Sequence, residues 1–164
     1  MPIVASASFT RPANTTGYTS GDLVADNTVA ASVTPLVFGM SRLGGIGTIT
    51  RARLYKSSTT ATAAVFTLRL FTAAQALTNG DNGAFAVADV DDLIGTVAMD
   101  LSSSALSGTA GLANQFAITG GITFDLPVIS QAERRLYGYL VIGGSYAPAS
   151  GETFRVDLEI SNGM

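Results

Sequence analysis

The chain has 164 residues and a formal net charge of −3, and only 13% of its residues are charged, about half the share of an average soluble protein. Histidine, cysteine and tryptophan are absent, which excludes His-based triads, thiol nucleophiles, disulfide frameworks and zinc sites built on His or Cys. A globule of this mass exposes on the order of 7,700 Å²; nine cations and twelve anions cannot tile it, so the surface is Ser, Thr, Ala and Gly or is covered by a partner.

In chain order, the opening Met-Pro-Ile-Val-Ala-Ser lacks the cationic head and long apolar run of a signal peptide. A first strand is expected over 3–9. Residues 9–24 follow as an N-terminal arm or ordered loop, because Pro12 and the Asn14-Thr15-Thr16-Gly17 run disfavour regular structure. Leu36, Phe38 and Met40 mark a strand over 36–42, and Gly44-Gly45-Ile46-Gly47 resembles a hairpin connection more than a phosphate loop. The Thr- and Arg-rich strand 46–56 has one solvated or partner-facing side. Strand 64–72 alternates Phe66, Leu68 and Leu70 with Thr67 and Arg69. Residues 84–93 read as a short helix or a structured loop. A strand over 96–101 carries Val97, Met99 and Leu101 on one parity, and 114–126 places Phe116, Ile118, Ile122, Phe124 and Leu126 on another. Gly120-Gly121 interrupts that run as a bulge, a kink or a hairpin turn. Ser130-Gln131-Ala132-Glu133 spells a capping box for one helical turn. Strand 136–143 is apolar on both parities, as in a strand central to the fold or at a subunit contact. Strand 153–161 alternates Phe154, Val156, Leu158 and Ile160 with Arg155, Asp157 and Glu159. About eight short strands with turn signals between them predict a single all-β domain, an antiparallel sandwich or barrel.

Candidate sites are few. Arg51, Arg53 and Lys56 form the one basic cluster besides Arg134-Arg135, so no nucleic-acid partner is expected. No stretch approaches the roughly 20 apolar residues of a membrane span, and no cofactor is expected. Asn79-Gly80-Asp81-Asn82-Gly83 with Asp89, Asp91 and Asp92 has oxygens for Ca²⁺; the spacing is not that of an EF-hand, and Asn-Gly is ordinary turn chemistry. A glycosidase needs two carboxylates, for which Glu133, Glu152 and Glu159 are the available glutamates; no catalytic pair stands out among them, and an enzyme is not expected. Tyr18, Tyr55, Tyr137, Tyr139 and Tyr146 are candidates for stacking on sugars or anchoring a protein contact, or are half-buried strand residues.

The segment Phe9-Thr10-Arg11-Pro12-Ala13-Asn14-Thr15-Thr16-Gly17-Tyr18, continued by Gly21-Asp22-Leu23-Val24, resembles the opening R-P-A-x-T-T-x-Y followed by G-D-x-V of small virion structural proteins of tailed bacteriophages. Asp81-Asn82-Gly83-Ala84-Phe85 leading to Leu93-Ile94-Gly95, and Leu136-Tyr137-Gly138-Tyr139-Leu140 with Tyr146-Ala147-Pro148-Ala149-Ser150, match the same pattern in order. The resemblance implies a β-sandwich of jelly-roll type and a non-enzymatic capsid-decorating or cement protein on the virion surface, assembled in the host cytoplasm. Its partners would be the major capsid protein or other virion proteins, and further copies of itself, a trimer being favoured over a dimer. Arg11, Pro12, Tyr18, Tyr137 and Tyr139 are the expected interface residues, with 9–24 either draped over a neighbour or covering an edge strand of its own domain. The alternatives are a tail or head-fibre domain that binds host glycan, and a glycan-cleaving enzyme.

Overall fold

The computed structural model describes residues 2–40, 45–103, 105–126 and 134–162. Among the described residues ten strands lie in chain order: β1 (Ile3–Thr10), β2 (Leu23–Val24), β3 (Leu36–Gly39), β4 (Gly45–Lys56), β5 (Val65–Phe71), β6 (Leu93–Asp100), β7 (Leu106–Gly108), β8 (Gly111–Leu126), β9 (Arg135–Ile142) and β10 (Thr153–Asn162). One sheet has the order β1-β10-β4-β8-β7, and the other β2-β9-β5-β6, with β3 also paired to β9. β3 meets β9 at Arg135–Gly138 and β2 meets it at Leu140–Val141, so β2 and β3 occupy one edge as an interrupted strand. With that edge counted once and β7 set aside, two four-stranded sheets remain, and the chain passes between them in jelly-roll order. All pairings are antiparallel.

The alternation read in the sequence sets which side chains enter the space between the sheets. Phe66, Leu68, Phe154, Val156, Leu158 and Ile160 are buried there, and Phe124 is 6% exposed; Phe116, expected alongside them, is only partly buried and packs on the core's flank. In β4 the inward parity changes from Gly47 and Ile49 to Ala52, Leu54 and Lys56. Thr50 is the extra residue, since Ile160 pairs with Ile49 and the adjacent Glu159 with Arg51. The same place carries the Gly120-Gly121 irregularity of β8, where Ile122 faces Ile49 and Ala117 faces Arg51. It is a bulge inside one long strand, not a turn between two. Gly121 has a φ of 70°, and a Cβ there would lie 2.3 Å from the Thr48 methyl.

Several expectations need correction. β6 starts at Leu93 and β8 at Gly111, three residues before the expected 96 and 114. β2 and β7 were not foreseen. For 84–93 the structured-loop alternative holds as far as Asp92, with bridges from Ala84 to Asp22 and from Val87 to Leu77, and Leu93 already lies in β6. The capping box at 130–133 and the end of the expected strand 36–42 lie outside the described residues. Strand β9 is central in its sheet, and its second apolar face is covered by the chain itself. Leu23, Ala25, Phe71 and Tyr139 form a second cluster, on which Val33, Leu77 and Phe85 pack. The accessible surface is 7887 Å². Among the described residues no helix is long and apolar enough to cross a membrane.

Candidate functional site

At one end of the sandwich three loops meet over a buried polar network. Arg11 follows β1 directly, and its backbone N–H donates to Glu152 O at 3.0 Å, one step beyond the β1–β10 ladder. Pro12 then ends the ladder for want of an N–H. The Arg11 side chain turns inward and is fully covered, as is that of Asp81, its ion-pair partner at 3.1 Å. Its other donors are also satisfied: Nε by Tyr18 Oη at 2.8 Å, Nη1 by the carbonyls of Asn14 at 2.7 Å and Ala149 at 3.2 Å, and Nη2 by Asn14 Oδ1 at 3.1 Å. Asp81 accepts in addition from the Tyr18 hydroxyl and from the Ala25 N–H.

A second ion pair lies beside the first. Lys56, the chain's single lysine, falls on the inward parity of β4; its Nζ lies 3.0 Å from Glu152, and both side chains are fully covered. Nζ also donates to Tyr146 Oη at 2.9 Å and Ser58 O at 2.9 Å. The Tyr146 hydroxyl donates to the Glu152 carboxylate at 2.7 Å, and Glu152 Oε2 takes the Ala149 N–H at 3.2 Å. The two halves join where the Tyr18 and Tyr146 rings stack at 6.3 Å between centroids, and through the Ala149 peptide, whose carbonyl serves Arg11 and whose N–H serves Glu152. Burial, reinforced by the Asp81 and Glu152 carboxylates, pushes the Tyr18 and Tyr146 phenols far above their usual value. Burial pulls the Lys56 ammonium down, with Glu152 opposing it.

This geometry holds loops; it presents no chemistry to solvent. Arg11 and Tyr18, expected as a fork and an anchor for a partner, are spent inside their own domain. Pro12 is half-buried, and its carbonyl accepts from Asn14 N at 2.8 Å. Residues 11–22 therefore form an ordered cover over the chain's own sandwich. Asp81, part of the candidate Ca²⁺ cluster, is held by Arg11 and Tyr18; Asn79 and Asn82 shape the turn, with Asn79 Nδ2 donating to Ala84 O at 2.8 Å and Asn82 at a φ of 63°. No group of three or more acidic residues able to hold a metal occurs among the described residues. Of the glutamates considered for catalysis, Glu152 is consumed by Lys56, Glu159 pairs with Arg51 at 3.1 Å on the outer face, and Glu133 lies outside the described residues. Tyr139 is 3% exposed, its ring edge-on to Phe71 and its Oη accepting from Gln75 N at 2.8 Å. Tyr137 is half-buried on β9.

The sequence reading missed Lys56, Asp81, Tyr146 and Glu152 as a unit. One signal was present: a lone lysine on the apolar parity of a strand demands a buried carboxylate. The three segments that carry the virion-protein resemblance are the ones that converge here. Leu23 N donates to Gly83 O at 2.8 Å, Asn82 N to Leu23 O at 2.9 Å, Phe85 N to Gly21 O at 2.9 Å, and Tyr18 N to Tyr146 O at 2.8 Å.

One accessible feature is an open groove of about 570 Å³ on the outer face of the β1-β10-β4-β8-β7 sheet. Cross-strand register sets Leu106, Ala113, Tyr55 and Arg155 in one row across it. A smaller recess of about 340 Å³ continues past Arg53 and Gln115. Leu106 is 78% exposed. The Arg155 guanidinium lies 4.0 Å above the Tyr55 ring and reaches Asp157 at 3.2 Å. Arg53 donates to Gln115 Oε1 at 3.0 Å and has no carboxylate partner among the described residues.

No protein-family model matches the chain, and no curated protein sequence matches it. Among solved structures it is similar to the decameric BFDV capsid protein, at 13% identity over 98% of this chain and 96% of that one, with a TM-score of 0.36. It is also similar to the infectious bursal disease virus VP2 subviral particle, at 12% identity, 97% and 32% coverage, and a TM-score of 0.31. A third is the K1 cleaved adhesin domain of Lys-gingipain from Porphyromonas gingivalis W83, at 14% identity, 98% and 99% coverage, and a TM-score of 0.30. At these identities and scores the similarities do not bear on function.

Proposed function

We propose that this chain is a non-enzymatic structural protein of a tailed-bacteriophage virion, a decoration or cement protein that binds the assembled capsid shell as a homo-oligomer. The observation that carries the reading is the convergence of the three resembling segments. Matches scattered by chance along a sequence have no reason to meet in space. Here Arg11 and Tyr18 of the first, Asp81 of the second and Tyr146 and Ala149 of the third are joined through ion pairs and hydrogen bonds. The resembling pattern thus coincides with one structural unit. The jelly roll suits the role, since capsid and lectin domains are built on it, although fold alone does not assign function. The mechanism is linkage: a protein that binds the closed shell and not its dissociated subunits stabilises the shell by mass action, by about 2.7 kcal/mol per site at a hundredfold excess over Kd. The test is co-sedimentation of purified protein with empty shells, with the shells' thermal disruption measured in its presence and absence. Binding with a raised disruption temperature is expected. Failure to bind shells, together with specific signals on a glycan array, would replace the reading with that of a host-recognising fibre domain.

A further inference from the structure

The groove beside β7 has a complement elsewhere on the same molecule, and we propose that it receives the Asp89–Asp92 loop of a second copy of this chain. The groove is apolar along Leu106, Ala113 and Tyr55; Arg53 and Arg155 border it, Arg155 being paired with Asp157 beside it, and no carboxylate among the described residues lines the groove or the recess beyond. In a chain of net charge −3 this is an uncommon surface. Arg53 is the cation there that lacks an acidic partner among the described residues.

The loop Asp89-Val90-Asp91-Asp92 has the opposite character. Val90 stands 65% exposed at its tip, and Asp89 and Asp91 on either side are exposed and pair with no cation among the described residues. The loop is shaped before any contact. Leu93 N donates to Val90 O at 3.1 Å, Asp91 N to Asp89 Oδ1 at 2.9 Å, and Asp92 is tied to Thr72 at 3.2 Å and Gln75 at 3.3 Å. An ordered loop loses little conformational entropy on docking. Val90 fits against Leu106 and Tyr55 while a flanking carboxylate meets Arg53.

One molecule cannot fill its own groove. The loop enters β6 at Leu93, whereas the far end of β6, at Asp100, touches Asn114 of β8 beside the groove. An eight-residue strand separates them by about 25 Å. The contact therefore lies between copies, the loop of one in the groove of another, and it can close either reciprocally in a two-fold dimer or head to tail in a three-fold ring. This rests on the proposed function only for its setting: it gives the self-association there a surface, and the association itself is measured without shells, so that either can fail alone.

Sedimentation velocity at micromolar concentrations compares the unaltered chain with Arg53→Glu, Asp91→Arg and the double variant. The unaltered chain is expected to associate. Each single variant should weaken association by at least about tenfold, because like charges then face each other across the contact, while its thermal midpoint stays put. The double variant should regain association, since the charges are exchanged. A monomeric unaltered chain, single variants that associate normally, or a double variant no better than the singles would overturn the proposal. So would an Arg53→Glu chain that keeps its oligomeric state but no longer co-sediments with shells, which would put a shell protein in the groove instead.

Discussion

Replacing Arg11 with Met removes a charge of similar bulk and tests how the N-terminal segment is held. The substitution deletes five hydrogen bonds, to Tyr18, Asn14 (two), Ala149 and Asp81. It strands the Asp81 carboxylate in a fully covered site, with the Tyr18 hydroxyl and the Ala25 N–H as its remaining donors. Breaking a buried pair from one side costs about 3–5 kcal/mol, a large part of the about 5–15 kcal/mol that holds a domain together. Asp81→Asn alone leaves the guanidinium unneutralised and should cost a similar amount. The double variant leaves neither charge buried alone, so it should fall short of the sum by about 2 kcal/mol or more. Urea denaturation with an unchanged m-value reads all four corners of the cycle. An Arg11→Met loss under about 1 kcal/mol, or additivity within about 0.5 kcal/mol, would refute the network as a stabilising unit. A chain beginning at Asp22 extends the test. It lacks the whole of β1, which pairs with β10 from Ile3 to Thr10, together with Arg11 and Tyr18, and should not hold its fold. A segment that served only as a docking arm would leave the midpoint unchanged.

Phe154→Ala should cost about 3–5 kcal/mol, because the ring is fully buried between Phe9 and Phe66, and Arg155→Ala on the outer face about 1 kcal/mol or less; equal losses in thermal melts would mean that β10 faces the other way. Gly121→Ala should destabilise more than Gly120→Ala. Both have positive φ, but a Cβ meets Thr48 at Gly121 and open space at Gly120, where only the roughly 1–2 kcal/mol of the left-handed conformation applies. Stability should fall as pH rises past 10, because the unfolded chain gives up the Tyr18 and Tyr146 protons near 10.0 while the folded chain keeps them, worth about 1.4 kcal/mol per pH unit for each phenol. Lys56 acts with the opposite sign between its lowered value and 10.5 and is neutral in both states well above that, so the decline is read in denaturation midpoints above pH 10.5. Tyr18→Phe with Tyr146→Phe should reduce it, leaving the part due to Tyr139, whose phenol burial also pushes up.

The period of two placed β5, β8 and β10 and most of the core, because each of these strands has one face on the core and one on solvent. It failed where that condition fails. β7 is exposed at every residue, so nothing in Leu106-Ser107-Gly108 alternates. β2 has two residues, both buried, too few for a period. In β9 both faces are apolar, and hydrophobicity alone does not say whether the second cover comes from the same chain or another. Leu77 and Phe85 supply it from an excursion with no regular structure of its own. The Arg11–Asp81 pair was illegible for a related reason: its residues stand 70 positions apart in loops whose composition reports turns and not partners.

That illegibility points to what the network does for the fold. The segments 11–22, 79–85 and 146–152 have almost no ladder of their own, and an apolar seal over this end would hold them in many arrangements of similar energy. A guanidinium with five donors is satisfied in few. Arg11 finds all its acceptors only when Asn14, Tyr18, Asp81 and Ala149 are in place together, and Glu152 finds its donors only when Lys56, Tyr146 and the Ala149 N–H are. The desolvation of four charges is thus offset by hydrogen bonds that exist in one arrangement of the loops. That arrangement fixes the end of β1 against β10 and seats Tyr139 under its cover. It leaves the outer sheet face, with its groove and an Arg53 that has no carboxylate partner among the described residues, as the surface on which the proposed contact between copies would form.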